Sequence, residues 1–243
     1  MRNLDLSILW GHYGVLLLKG LLLTLQLAAW SLVFSVAIGL VFGVLRWARV
    51  PLARPICWLY LEVARTVPPL VQLLFWYFSA IYIFPTNVYD YMRHSGYEFA
   101  AAVAALSIYH GTFFAEIFRA GLNSVPKGQV EAARSLGLGF GETMWFVALP
   151  QALRVIILPL TNEAVGLVKN TSLAMAIGVT EITHSAKTID SEAFRGVEAL
   201  MGATVLYLVI CLGLSGLGQL ASARLSGPRR SATATRVDPC LTM

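Results

Sequence analysis

SVPKGQVEAARSLGLGFGETMWFVALP, residues 124–150, is the longest polar interruption in an apolar chain. Pro126 suits the first turn of a helix, where its locked φ fits and its missing N–H is not needed. Residues 129–136 are good helix formers, with Glu131 and Arg134 spaced to interact at i, i+3. Gly137 and Gly139 supply the stop. Gly141 then separates a second apolar-faced stretch over 142–149, with Met144, Trp145 and Phe146, before Pro150 opens the next apolar run. The pattern predicts two short helices set at an angle between long apolar segments. A short helix with small residues at Ala132 and Ala133 can seat in a groove of a partner protein. It can equally lie on lipid headgroups.

Outward from this stretch, the 243 residues are 57% apolar and only 13% charged, with a mean hydropathy of +0.70. A soluble domain carries about 25% charged residues, so most of this chain's solvent is lipid. The net charge of +5 is spread rather than gathered on one face. That argues against nucleic acid as a partner, which needs a dense basic surface. Cys57, Cys211 and Cys240 are odd in number and far apart, so neither a disulfide framework nor a metal site is expected.

A helix needs about 20 apolar residues to cross a bilayer. Five runs qualify, over residues 14–45, 57–84, 99–118, 150–180 and 199–223. They are continuous rather than alternating, so helices and not barrel strands are expected. The first exceeds one bilayer and is expected to tilt or to extend beyond it. Its charge-free part is also too long for the apolar core of a cleaved signal peptide. Of the 18 Lys and Arg, twelve fall in loops on one side, five on the other, and Lys169 lies within the fourth run. The positive-inside rule then puts the N-terminus outside, the C-terminus in the cytoplasm and residues 124–150 in the cytoplasm. The expected organisation is an all-α membrane domain over residues 1–225 and a polar cytoplasmic tail over 226–243.

Several features inside the spans carry expectations. Gly39-x-x-x-Gly43 is a small-residue spacing that lets helices approach closely. Pro68-Pro69 is expected to break or kink the second span, and Glu62 and Arg65 to pair. Residues 180–198 are mildly acidic and read as a helix at the bilayer edge. The fourth span is polar at Asn162, Glu163, Lys169, Asn170, Thr171 and Ser172. Charges within a membrane face a cavity or a partner. Glu163 and Lys169 are six apart, about 240° around a helix, so each needs a partner other than the other. With His110 of the third span, these residues are the candidates for a solute pathway. The alternatives are a seam between subunits and, for His110, an interior hydrogen bond.

The chain resembles the membrane subunit of polar amino acid ABC importers. Glu131-Ala132-Ala133, Gly137 four residues on, and then Leu149-Pro150-Gln151-Ala152 resemble the EAA loop of importer permeases. The likeness extends through Gly20-x-x-x-Thr24-Leu25, Arg65-Thr66-x-Pro68 with Leu70-Val71-Gln72-Leu73, Ala115-Glu116-Ile117-x-Arg119 and Val125-Pro126-Lys127-Gly128-Gln129. It continues through Pro159-Leu160-x-Asn162, Lys169-Asn170-Thr171-Ser172-Leu173 and Ile177-Gly178-Val179-x-Glu181. Pro69, and the segment from His110 to Phe114, depart from the family's usual pattern.

The resemblance implies a type I importer permease fold in a bacterial inner membrane. It implies two ATPase subunits, a second permease copy or paralogue, and an extracytoplasmic binding protein that delivers the solute. Glu131, Ala132, Ala133, Arg134 and Gly137 are then the ATPase-coupling residues. No G-x-x-x-x-G-K-[ST] loop occurs in the chain. ATP and magnesium are therefore expected to be used by the partner, with no cofactor bound here. A membrane-embedded enzyme would need a nucleophile–base or metal constellation, which the scattered histidines do not supply. A membrane assembly protein would not need polar residues across the fourth span. The solute is expected to be a polar amino acid, or alternatively an amino-acid-like compatible solute or derivative.

Overall fold

Lipid offers the backbone no hydrogen-bonding partner, so a chain this apolar has to close its amide bonds within helices. The computed structural model describes residues 11–48, 50–83, 85–87, 90 and 96–226. Among the described residues every regular element is helical. The order is α1 (His12–Trp47), α2 (Arg54–Thr66), α3 (Pro69–Ile83), α4 (Tyr97–Asn123), α5 (Lys127–Ser135), α6 (Leu149–Asn170), α7 (Ile182–Ala193) and α8 (Gly196–Ser226). Four stretches are long and apolar enough to cross a membrane: His12–Trp47, Tyr97–Asn123, Phe140–Ile177 and Gly196–Leu225. The chain is a multi-pass membrane protein. The polar tail from residue 227, and most of the loop before α4, lie outside the described residues.

The second expected span is not one helix. Val67 is extended, at φ −77° and ψ 130°, as a residue before proline must be. Pro69 then opens α3, where a missing N–H does no harm. The break exposes backbone carbonyls at the end of α2, and Gln72 answers them: its Nε2 donates to the Ala64 carbonyl and, at 3.2 Å, to that of Val67. The two halves, 13 and 15 residues long, are each too short to span alone. Glu62 and Arg65 pair at 2.7 Å as expected, though exposure leaves the pair little energetic weight.

α4 is the central helix. On α1, Gly39 and Gly43 let it come close: a Cβ at Gly43 would sit 2.8 Å from the Ala115 carbonyl oxygen, and one at Gly39 would collide with Phe114. Leu27, Leu73, Leu106 and Ile177 join α1, α3 and α4. Phe114, Ile156, Leu167 and Cys211 join α4, α6 and α8.

Residues 180–198 hold the expected helix, α7, and it is packed into the bundle. Ile182, Ala186 and Ile189 of α7 are fully buried against Leu17 of α1 and Ala203 of α8. Their three- and four-residue spacing makes an apolar stripe, and the stripe docks into the bundle.

Candidate functional site

α5 is a nine-residue helix that shows most of its surface. Its inner face is Val130 and Ala133, packed near Leu122, Val125, Met144 and Trp47, and Gln129 hydrogen-bonds Gln151 of α6. Glu131, Ala132 and Arg134 are exposed. Glu131 and Arg134 make no ion pair among the described residues; an exposed i, i+3 pair is worth only tenths of a kcal/mol and does not hold long side chains in place.

The stop is a Schellman turn. Gly137 lies at φ +85°, its N–H donates to the Arg134 carbonyl at 2.9 Å, and the Leu138 N–H donates to that of Ala133 at 3.2 Å. Leu136 is thrown outward, 84% exposed.

The expected second loop helix is not separate. A one-turn helix, Phe140–Glu142, begins where the Glu142 carboxylate accepts from the Gly139 N–H at 2.8 Å. It passes through a π-helical turn, Thr143–Ala148, straight into α6. Pro150 explains the wide turn. It has no N–H for the Phe146 carbonyl and its ring would crowd that group, and one π turn relieves both. Residues 140–177 are thus one continuous rod with α5 fastened to its base.

Seven residues are about two turns of helix, and α6 sorts its polar side chains accordingly. Glu163 and Asn170 share one stripe, facing α4. Glu163 Oε1 lies 2.6 Å from His110 Nδ1, and Asn170 Nδ2 lies 3.1 Å from His110 Nε2. The ring donates at Nδ1 to the carboxylate and accepts at Nε2 from the amide. His110 itself is buried, with 2% exposure. Asn162 and Lys169 share the other stripe and are exposed on the surface of the bundle. Lys169 makes no ion pair among the described residues.

Thr171 and Ser172 begin the 3-10 turn Thr171–Ile177. Their hydroxyls donate to the Val168 and Lys169 carbonyls at 2.6 and 2.7 Å, and Thr171 is fully buried. Of the residues singled out in the sequence, the fold therefore joins His110, Glu163 and Asn170, sets Asn162 and Lys169 apart on an open face, and turns Thr171 inward.

Sequence reasoning underrated Glu181. It is fully buried and caps α7. One carboxyl oxygen accepts from the His184 N–H at 2.8 Å; the other accepts from the Thr183 N–H and the Tyr207 hydroxyl, both at 2.7 Å. Beside it, Thr24 of α1 accepts from the Ile182 N–H at 3.2 Å. The acidic side chain thus ties α7 to α8, and the Thr24 hydroxyl ties the same turn to α1. The signal was faint: glutamate is not a favoured N-cap residue, although a negative group suits a helix start and Ile182, Ala186 and Ile189 have helical spacing.

The architecture, with its fastened α5 and a polar helix inside the bundle, is that of an importer permease. Residues 35–227 match the family of binding-protein-dependent transport system inner membrane components, and the chain belongs to it. It is 34% identical over 212 residues, 85% of this chain and 90% of the relative, to the probable glutamine ABC transporter permease protein GlnP of Bacillus subtilis (strain 168). To the glutamine transport system permease protein GlnP of Escherichia coli (strain K12) it is 36% identical over 211 residues, 87% of this chain and 93% of that one. A solved structure, described as an amino acid ABC transporter with histidines, superposes with a TM-score of 0.78 at 32% identity, covering 92% of this chain and all of that one.

Proposed function

We propose that this chain is the permease subunit of an inner-membrane ABC importer for a polar amino acid. An extracytoplasmic binding protein delivers the solute, and two separate ATPase subunits drive the cycle through α5. The observation that carries this reading is the open polar face of Asn162 and Lys169 on a helix that spans the membrane. An ammonium against lipid costs several kcal/mol, so that face requires water, solute or a second permease copy. A zwitterionic solute, with one carboxylate and one ammonium, suits such a surface. The glutamine permeases similar to this chain support the same solute class.

Coupling rests on α5. It offers Glu131, Ala132 and Arg134 outward while Ala133 and the Gly137 turn hold it on the base of the 140–177 rod. A push on such a helix moves α6 with it. In Glu131→Lys and Gly137→Pro variants that insert normally, the ATPase is expected to be lost on purification of the complex. An ATPase that still co-purifies and remains fully coupled in both would reject docking through α5. The solute is tested separately, by binding assays on the associated solute-binding protein with acidic, basic and amide amino acids; binding of none of them would reject the substrate class.

A further inference from the structure

At the end of the bundle where α1 gives way to α2, a cavity of about 690 Å³ opens between these helices and α4. Three guanidinium groups line it: Arg46, Arg54 and Arg119. The carboxylate beside them is Glu116, which Arg46 engages and to which Arg119 Nε donates at 2.8 Å. Arg54 has no ion pair among the described residues. Three positive charges against one negative leave the cavity two charges short of balance. A guanidinium presents its donors as a planar fork that matches the oxygens of a phosphate.

The rest of the lining is Leu45, Val50, Pro51, Cys57 and Trp58. Beyond the cavity, α2 and its lead-in expose Leu52, Ile56, Leu59 and Val63, at 85, 64, 57 and 55%, the last three lining a separate apolar cavity toward α3. A 13-residue helix with a buried stripe at Cys57, Leu61 and Ala64 and these apolar groups outside is not built for water. It sits at the headgroup boundary, where tryptophan is favoured too. The occupant must therefore bring an anionic head and an apolar body. A free ion brings only the first.

We propose that this cavity holds the phosphate headgroup of an anionic phospholipid, with Arg54 as the chief contact, Arg46 and Arg119 behind it, and the glycerol and chains over Val50 and Trp58. Basic pockets between membrane helices are where such heads are bound.

The test uses the full-length chain, purified with the subunits that accompany it, stripped of lipid and returned to phosphatidylglycerol or phosphatidylcholine. Retained lipid is counted by native mass spectrometry, and thermal unfolding is followed in parallel. Phosphatidylglycerol is expected to be retained preferentially and to raise the unfolding temperature. Arg54→Gln should weaken its retention about five-fold, Arg54→Lys should restore part of it, and Arg224→Gln, outside the cavity, should change nothing. Equal retention of the two lipids, or full phosphatidylglycerol retention by Arg54→Gln, overturns the proposal. So does inorganic phosphate at equal concentration reproducing the thermal shift, which makes this a free-anion site. If Arg54→Gln instead releases an accompanying subunit while keeping its phosphatidylglycerol, the surface is a protein contact and the proposal fails. A misfolded Arg54→Gln is recognised by its unfolding temperature in phosphatidylcholine, and the Arg54→Lys comparison then decides.

Discussion

In α5 the carboxyl of Glu131 and the guanidinium of Arg134 are exposed and make no ion pair among the described residues. In the turn before α7, the carboxyl of Glu181 is wholly buried and accepts three hydrogen bonds within 2.8 Å. The same kind of group serves two ends. Inside the bundle an unpaired polar group is expensive, and the matching of Glu181 and of His110 with Glu163 stitches separate helices together. On α5 the charged groups of Glu131 and Arg134 are left unpaired because water serves them, while the Gly137 turn, the packing of Val130 and the Gln129–Gln151 bond hold the helix. The face of α5 proposed to meet a partner is thus the one whose charged side chains are unpaired.

That contrast can be broken. The largest effect is expected at Glu181. Replacing it by Ala leaves two amide N–H groups without an acceptor and takes from the Tyr207 hydroxyl its 2.7 Å partner, and should lower stability by about 3 kcal/mol, read as a fall in unfolding temperature in detergent. An unchanged temperature would mean that the carboxyl is not the tie between α7 and α8. Next comes Gly39→Ala. Its Cβ meets Phe114, and the forced separation of α1 from α4 should cost about 2 kcal/mol in the same assay.

Gly137→Ala is milder. No atom lies within 4 Å of the added Cβ, so only the left-handed backbone is penalised, by about 1 kcal/mol. An effect as large as that at Glu181 would show that the turn is packed rather than merely bent. The smallest stability effects belong to the open groups. Glu131→Lys and Lys169→Met should each stay within about 0.5 kcal/mol of the parent. Lys169→Met should nonetheless reduce uptake kcat/KM about tenfold, equivalent to ~1.4 kcal/mol. Unaltered transport by Lys169→Met and Asn162→Ala, with normal insertion, would remove that face from the pathway.

Much of this was legible beforehand. The exposed helix over α5 followed from Pro126, the run of helix formers and Gly137, all local effects within a turn or two. The close approach at Gly39 and Gly43 followed from their spacing. The break at Pro68-Pro69 was foreseen as a break or a kink, but its repair by Gln72 was not, because that contact reaches back eight residues across a bend. The unbroken rod over 140–177 was misread at Gly141 and Pro150. Gly141 has open space where a Cβ would be and does not interrupt the helix, and a π turn absorbs the proline without ending it.

The polar face was the harder case. From spacing alone Glu163 and Lys169 had to look to different partners. That His110 would answer Glu163 across 53 residues depends on how α4 and α6 are rotated against one another, which the apolar contacts of Phe114, Ile156 and Leu167 decide.

Composition and hydropathy were enough by themselves to determine an all-helical membrane protein, because burial in lipid and helix punctuation are properties of short stretches; the importer permease class was legible through the resemblance of residues 124–150 and the other quoted motifs to that family. Tertiary structure alone decided which polar groups are spent and which are free. Pairing of His110 with Glu163 and Asn170, the ties of Glu181, and the open stripe of Asn162 and Lys169 all depend on helix rotation and depth. Those are set by side-chain packing summed over the whole bundle, and no local pattern encodes them.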